Sequence, residues 1–368
     1  MSRDWLALFK HPRMGFTGGM RLPLSLPLQM MFTAPLWQEG QHDALKRYMA
    51  NMRAVCNTPE TLPPPRPSLF YHGATRLWDY RPPQDGLDGR GVVFVPSLVN
   101  RTHILDLLPR CSMVGAFAAH RPTFLLDWGS PEHAHQDLST YINEKMIPAL
   151  QIAALQTGGP VHLVGYCMGG LLAIIAALLV PHLVHSLTFL ATPWDFSPMA
   201  SPEERAMIPA LRAGCLALKH QKRCLPSGLL QGLFLLKDPF SHIPRYTKAT
   251  EDTEKFLALE DWIQHGQPLT PDVALWAFSE CYEHNVFHRN ALVWAGQSLC
   301  FSRVRQRALI VSPLRDTVVP PASARAVKTA LPHADVLQPD TGHIGMIIGK
   351  HAPQDVWQPI MQWMQQGS

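Results

Sequence analysis

Val161-His-Leu-Val-Gly-Tyr-Cys-Met-Gly-Gly170 is the stretch on which the reading of this chain turns. Its first half is an apolar run of strand length, and its end opens directly into the apolar run 171–180, closed by Pro181. Between the two stands Gly165-x-Cys167-x-Gly169. A strand that turns at once into a helix forces the residue at the turn into an unfavourable backbone conformation. Small residues on either side keep the strand and the helix from colliding. Cys167 then points into a cleft at a helix N-terminus, where aligned peptide dipoles favour negative charge. With 24 glycines and 7 cysteines in 368 residues, chance supplies roughly 0.03 such patterns per chain. A buried, inert cysteine between two packing glycines is the alternative, and it leaves the strand before and the helix after unexplained.

A nucleophile on such a turn needs an acid and then a histidine further along the chain. The segment 307–316 reads as a strand ending in a loop that presents Asp316, followed by Val319-Pro-Pro321. Twenty-seven residues after Asp316 comes His343, between Gly342 and Gly345 in a loop that follows a short strand at 334–337. In this reading Asp316 accepts the Nδ1 proton and fixes the tautomer, and His343 draws the proton from Cys167. Two backbone amides are needed for an oxyanion hole. Met168, directly after Cys167, supplies one. The loop Val95-Pro-Ser-Leu-Val-Asn100 supplies the other, through Val99 or the neighbouring Leu98. Trp128, at the end of a strand beside the expected cleft, and Tyr166, next to Cys167, are the candidate substrate contacts.

Working outward, short apolar runs at 91–96, 123–128, 161–165, 186–190 and 307–312 read as strands buried on both faces. Helical patterns at 104–120, 138–157, 170–183 and 321–331 alternate with them. That rhythm predicts an α/β architecture with a mostly parallel central sheet flanked by helices. The rhythm divides the chain into an N-terminal appendage (1–60) with a helix at 41–55, a proline-rich linker (61–67), and a core made of 68–194 and 291–368. Residues 195–290, interrupted by eight prolines, read as a mainly helical cap inserted over the strand ends, where ligands bind in such sheets.

Composition narrows the function. A formal charge of +4 with no block of like charges gives no reason to expect a nucleic-acid partner. The seven cysteines are scattered and odd in number, without a C-x-x-C pair, which fits free thiols in a reducing cytoplasm. Ten consecutive apolar residues do not span a bilayer, so no transmembrane segment is expected. Asp4 lies early and no basic segment leads into a compact apolar core, so no export signal is expected either. The apolar stretch 22–37 packs against the body of the protein or lies on a granule surface.

Pro96-Ser-Leu-Val-Asn100, Ile104-Leu-Asp106, Phe124-Leu-Leu-Asp-Trp128, Gly165-Tyr-Cys-Met-Gly-Gly170, Asp316-x-x-Val-Pro-Pro321 and Gly342-His-Ile-Gly345 occur in this order. Together with 256–266 they resemble the polyhydroxyalkanoate synthases, over about residues 70–365. The resemblance implies an α/β-hydrolase fold and an acyltransferase that polymerises 3-hydroxyacyl-CoA through Cys167, His343 and Asp316 and a covalent acyl-cysteine, releasing CoA. It implies no cofactor and no metal, and a cytoplasmic, granule-associated protein whose size is closer to the catalytic subunits that act with an accessory subunit; a homodimer is the other arrangement. Ser97 and Leu98 replace the more usual proline and bulky residue of the early loop. An esterase, thioesterase or intracellular polyester depolymerase on the same fold, and a silent granule-associated binding protein, are the alternatives.

Three weaker patterns carry bland readings. Cys281-x-x-His284-x-x-x-His288 has metal-like spacing without a fourth ligand. His133-x-His135 reads as surface. Lys219-His-Gln-Lys-Arg223 is a solvated helix face or a contact for CoA phosphates.

Overall fold

The apolar runs predicted as strands lie side by side in one sheet. The structure, a computed structural model, describes residues 42–57, 66–82, 90–131, 133–230, 246–247, 252–264 and 266–366. The stretch 22–37 and the first five residues of the linker lie outside the described residues. In chain order the strands are β1 (Ser68–His72), β2 (Thr75–Asp79), β3 (Val92–Val95), β4 (Asp106–Leu108), β5 (Cys111–Ser112), β6 (Thr123–Asp127), β7 (Val161–Tyr166), β8 (Val184–Leu190), β9 (Val293–Trp294), β10 (Gln297–Ser298), β11 (Arg307–Val311) and β12 (Asp335–Leu337). Eight of them form the central sheet in the order β1-β2-β6-β3-β7-β8-β11-β12. In this sheet β2 alone runs antiparallel to its neighbours, β1 and β6; the other pairs are parallel. The predicted parallel α/β sheet is therefore what the chain forms.

Burial explains the composition of the central strands. Every residue of β3 and β7 is buried, so both faces must be apolar and a two-residue alternation is absent. Helices α1 (His42–Asn57), α2 (Met113–Ala118), α3 (Ile147–Gln156), α4 (Met168–Leu179), α5 (Pro202–His220), α6 (Thr253–Gln264), α7 (Pro271–Trp276), α8 (Pro321–Arg325) and α9 (Gln358–Gln365) follow in sequence. The helix α4 is apolar all round and buried from Met168 to Ala177, as a helix enclosed by protein on all sides must be.

The predicted helix at 104–120 is corrected. Only α2 is helical there; a 3-10 turn at Thr102–Leu105 and the hairpin of β4 and β5 occupy the rest. Pro109 lacks the amide a continuing helix requires, and the Asp106 carboxylate is buried where it accepts the Tyr80 hydroxyl at 2.6 Å. At 138–157 the predicted helix exists but opens with a wider π turn, Thr140–Met146, just ahead of Pro148.

Two compact units emerge from the contacts: residues 64–225 with 268–368, which hold the sheet, and residues 1–63 with 226–267. In the sheet-bearing unit, α5 starts with a reciprocal cap. Ser201 Oγ accepts from the Glu204 amide at 3.2 Å, and Glu204 accepts from the Ser201 amide at 2.7 Å. α5 packs on α7, joined by the Lys219–Asp272 ion pair and by the Leu225–Leu269 bridge. In the other unit, α1 packs on α6 around Tyr246, whose hydroxyl donates to Glu260 at 2.7 Å while its carbonyl accepts from Asn51 at 2.8 Å.

Candidate active site

The site is built on the turn between β7 and α4. Cys167 has φ 53° and ψ −125°, a conformation that costs a non-glycine residue about 1–3 kcal/mol and persists only where its surroundings enforce it. The enforcement is visible. The Cys167 amide donates to Leu190 O at 2.8 Å, and β7 is clamped between β3 and β8. The flanking glycines are required by close approach. A Cβ on Gly165 would lie 2.6 Å from the Gly170 nitrogen, and one on Gly169 would lie 2.7 Å from Pro96 O. The Cys167 thiol is partly exposed, unlike those of Cys111, Cys215 and Cys281, which are buried.

Two loops from distant parts of the sequence meet at this turn. Asp316 sits in the loop after β11, and His343 in the loop after β12. The Asp316 carboxylate is buried and fully engaged: Oδ1 accepts from the amides of Val318 (2.9 Å) and Val319 (2.8 Å), and Oδ2 accepts from His343 Nδ1 (2.8 Å). With Nδ1 committed to Asp316, Nε2 is the nitrogen left for Cys167, whose side chain adds to the upward shift of the ring's pKa. Backbone bonds hold the two loops together, Leu314 N to Pro339 O at 3.0 Å and Arg315 N to Thr341 O at 2.9 Å.

The surroundings of His343 favour its protonated form. Burial alone would lower the His343 pKa, but the Asp316 charge and hydrogen bond, helped by Cys167, overcome it and push it up to about 10. The ring of Tyr166 lies 5.1 Å from that of His343 at 32°, so it packs against the imidazole and limits its swing. The Tyr166 hydroxyl is buried and has no hydrogen-bond partner among the described residues.

The amide of Met168 stands at the first position of α4, where no intrahelical carbonyl is available to it. The amide of Val99 is engaged in a local turn, donating to Ser97 Oγ at 3.2 Å. Leu98, one residue earlier, is buried, and its amide has no acceptor among the described residues. Trp128 is enclosed: its indole N–H donates to Pro96 O at 2.9 Å and its ring meets Tyr141 edge-on at 5.7 Å. Its place is therefore to brace the loop 96–100 from behind.

Sequence reasoning passed over Tyr282. It lies near enough to Cys167 for a charge there to act on its phenol, whose pKa is raised mainly by burial. No periodicity or motif in the irregular stretch 195–290 singles it out. The weaker patterns do not assemble. Cys281 is buried, with its thiol pKa raised by that burial, and among the described residues no three His, Cys, Asp or Glu side chains gather as for a metal. His133 and His135 are exposed, and Lys219 is paired with Asp272.

A family model described as alpha/beta hydrolase fold matches residues 92–350. A poly(3-hydroxyalkanoate) polymerase subunit of Haloferax mediterranei is 25% identical over 320 residues, 83% of this chain and 64% of that protein. Its counterpart in Allochromatium vinosum is 26% identical over 315 residues, 82% of this chain and 88% of that protein. The chain thus spans just under two thirds of the Haloferax relative's length and most of the Allochromatium one's. Among solved structures, a monoacylglycerol lipase from Paleococcus ferrophilus superposes with a TM-score of 0.53 at 16% identity, covering 80% of this chain and 99% of that one. That likeness concerns the fold alone.

Proposed function

The chain belongs to the α/β-hydrolase fold family, and from that premise we propose that it is an acyltransferase of the poly(3-hydroxyalkanoate) polymerase type. The pairing of His343 with Asp316, close to Cys167 at a strained strand-to-helix turn, is the observation that supports the reading. In it Cys167 is the nucleophile, His343 the acid–base group and Asp316 the residue that holds His343 in its tautomer.

The Cys167 thiolate attacks the carbonyl of a 3-hydroxyacyl-CoA. The negative oxygen is received by the amide of Met168 and a second one from the loop 96–100, Val99 or Leu98. The C–S bond to CoA breaks, a new C–Sγ bond remains, and the leaving thiolate takes a proton from His343. Exchange of one thioester for another is nearly balanced in energy, so the acyl-cysteine can wait. The 3-hydroxyl of a second unit then gives its proton to His343 and attacks the acyl carbonyl. An ester forms, the C–Sγ bond breaks and the thiolate is restored.

Water must be kept from the acyl-cysteine if ester formation is to prevail. We assign that task to the part of the cap that belongs to the sheet-bearing unit, 195–225 and 268–290, supported by Tyr282, which lies near enough to Cys167 for a charge there to act on its phenol. Polymer formed in this way is insoluble, which would bring the enzyme to a granule surface in the cytoplasm, as a homodimer or with an accessory subunit. No helix among the described residues is long and apolar enough to cross a membrane.

The partial exposure of Cys167 favours one other reading, a thioesterase or esterase on the same scaffold. Incubation with 3-hydroxybutyryl-CoA separates the two. CoA release with insoluble polyester, abolished in Cys167→Ala, is the expected result. Steady release of soluble 3-hydroxybutyrate would make the protein a thioesterase.

A further inference from the structure

The chemistry above gives the Tyr166 hydroxyl no task. The residue is 3% exposed, so its side chain is closed to substrate, and the oxygen has no hydrogen-bond partner among the described residues. A buried, unsatisfied phenol costs stability relative to phenylalanine in the same place, and such a group calls for an explanation in function. Its surroundings narrow that explanation. Tyr166 ends β7 and stands directly before Cys167. Its ring packs on the His343 imidazole at 5.1 Å, and that imidazole bonds to Asp316 Oδ2 at 2.8 Å, so phenol and carboxylate border the same histidine ring. Burial, and then the charges of Cys167 and Asp316, raise the phenol pKa, so the hydroxyl stays protonated and remains a donor.

The Asp316 carboxylate is what such a donor could serve. Oδ1 keeps two backbone donors, the amides of Val318 and Val319, whatever the histidine does. Oδ2 accepts from His343 alone among the described residues. The two half-reactions ask His343 to address two different atoms, the leaving thiolate of CoA and then the 3-hydroxyl of the second unit. A ring that turns between them loosens its Nδ1 bond, and a buried carboxylate oxygen left without a donor is costly. We propose that Tyr166 is a positioning residue: its hydroxyl donates to Asp316 Oδ2 when His343 turns toward the incoming 3-hydroxyl, and so lowers the cost of that turn. The phenol keeps its own proton throughout. The proton of the 3-hydroxyl passes to His343, the new C–O bond forms and the C–Sγ bond breaks, as above. The proposal rests on the reading of Cys167, His343 and Asp316 given above and adds a group that acts in its second half only.

The test is Tyr166→Phe, which removes one oxygen from the buried ring, followed by rapid-quench kinetics with 3-hydroxybutyryl-CoA. The first release of CoA reports acylation, and the disappearance of the acyl-cysteine reports ester formation. Acylation should keep the wild-type rate, while ester formation should fall about tenfold or more, as expected for the loss of a hydrogen bond to a charged group. Both rates unchanged, or both lowered equally, overturns the proposal. A second measurement needs no substrate. His343→Leu withdraws the donor from Oδ2, so the Tyr166 hydroxyl should take its place there. Tyr166→Phe should therefore lower the Tm of the His343→Leu protein by about 3 °C, yet leave that of the wild type unchanged or higher. Equal effects in the two backgrounds overturn the proposal. If the wild type releases no CoA, the acyltransferase reading fails, and the stability comparison alone then decides on Tyr166.

Discussion

Replacing Gly169 with alanine tests the central geometric claim, that the turn carrying Cys167 is held by backbone-to-backbone contact. An ideal Cβ at this position falls inside the contact radius of Val95 O and lies 2.7 Å and 2.9 Å from Pro96 O and C. These neighbours are main-chain atoms at the end of β3, so no rotamer change relieves the overlap. Overpacking of this kind costs about 1–3 kcal/mol, and the upper end applies where backbone must move. Helix propensity works the other way, favouring alanine by up to about 1 kcal/mol. The net expectation is a loss of about 2 kcal/mol, seen in a chain of this size as a fall in Tm of roughly 2–4 °C. Activity should fall with it, because Val95 and Pro96 lead into the loop 96–100; displacing one oxyanion donor costs on the order of 10²-fold in kcat. Gly214→Ala is the control. Its Cβ meets nothing within 4 Å in the exposed part of α5, so it should stabilise by about 0.5–1 kcal/mol. Calorimetric unfolding and CoA release measure both effects. A Gly169→Ala protein with unchanged or higher Tm and full activity would refute the account of the turn.

Three further expectations follow from the site. The His343 pKa is raised from 6.5 to about 10, so its ionic contribution to stability is complete below about pH 6.5 and is lost as pH rises toward 10. Wild-type stability should therefore fall relative to Asp316→Asn across that window, by up to about 1.4 kcal/mol per pH unit, and parallel unfolding curves would count against the assignment. Ser97→Ala releases the Val99 amide from its 3.2 Å bond, so kcat should rise by about two- to tenfold if Val99 is the second oxyanion donor; an unchanged kcat assigns that role to Leu98. Trp128→Phe deletes the 2.9 Å bond to Pro96 O and should lower both stability, by about 1 kcal/mol, and kcat; a loss of stability with kcat intact would show that the brace does not reach the oxyanion loop.

The order of elements and the parallel sheet were legible because each leaves a local trace. Buried strands are continuous apolar runs, a strand-turn-helix with Gly165 and Gly169 admits few backbones, and Asp316 and His343 sit in loops just past strands. The stretch 104–120 misled for a local reason too: its apolar residues suit a helix, and the hairpin that replaces it is fixed by Asp106 reaching Tyr80, a contact 26 residues distant. Other features had no local trace at all. Whether Val99 offers its amide depends on where the Ser97 hydroxyl turns, and the place of Trp128 depends on Pro96 lying across the sheet. Amino-acid order determines which backbones are sterically and energetically open. Which charges stand uncancelled, and which donors stay available, is decided only when remote segments pack, because electrostatic and hydrogen-bond energies depend on distance in space.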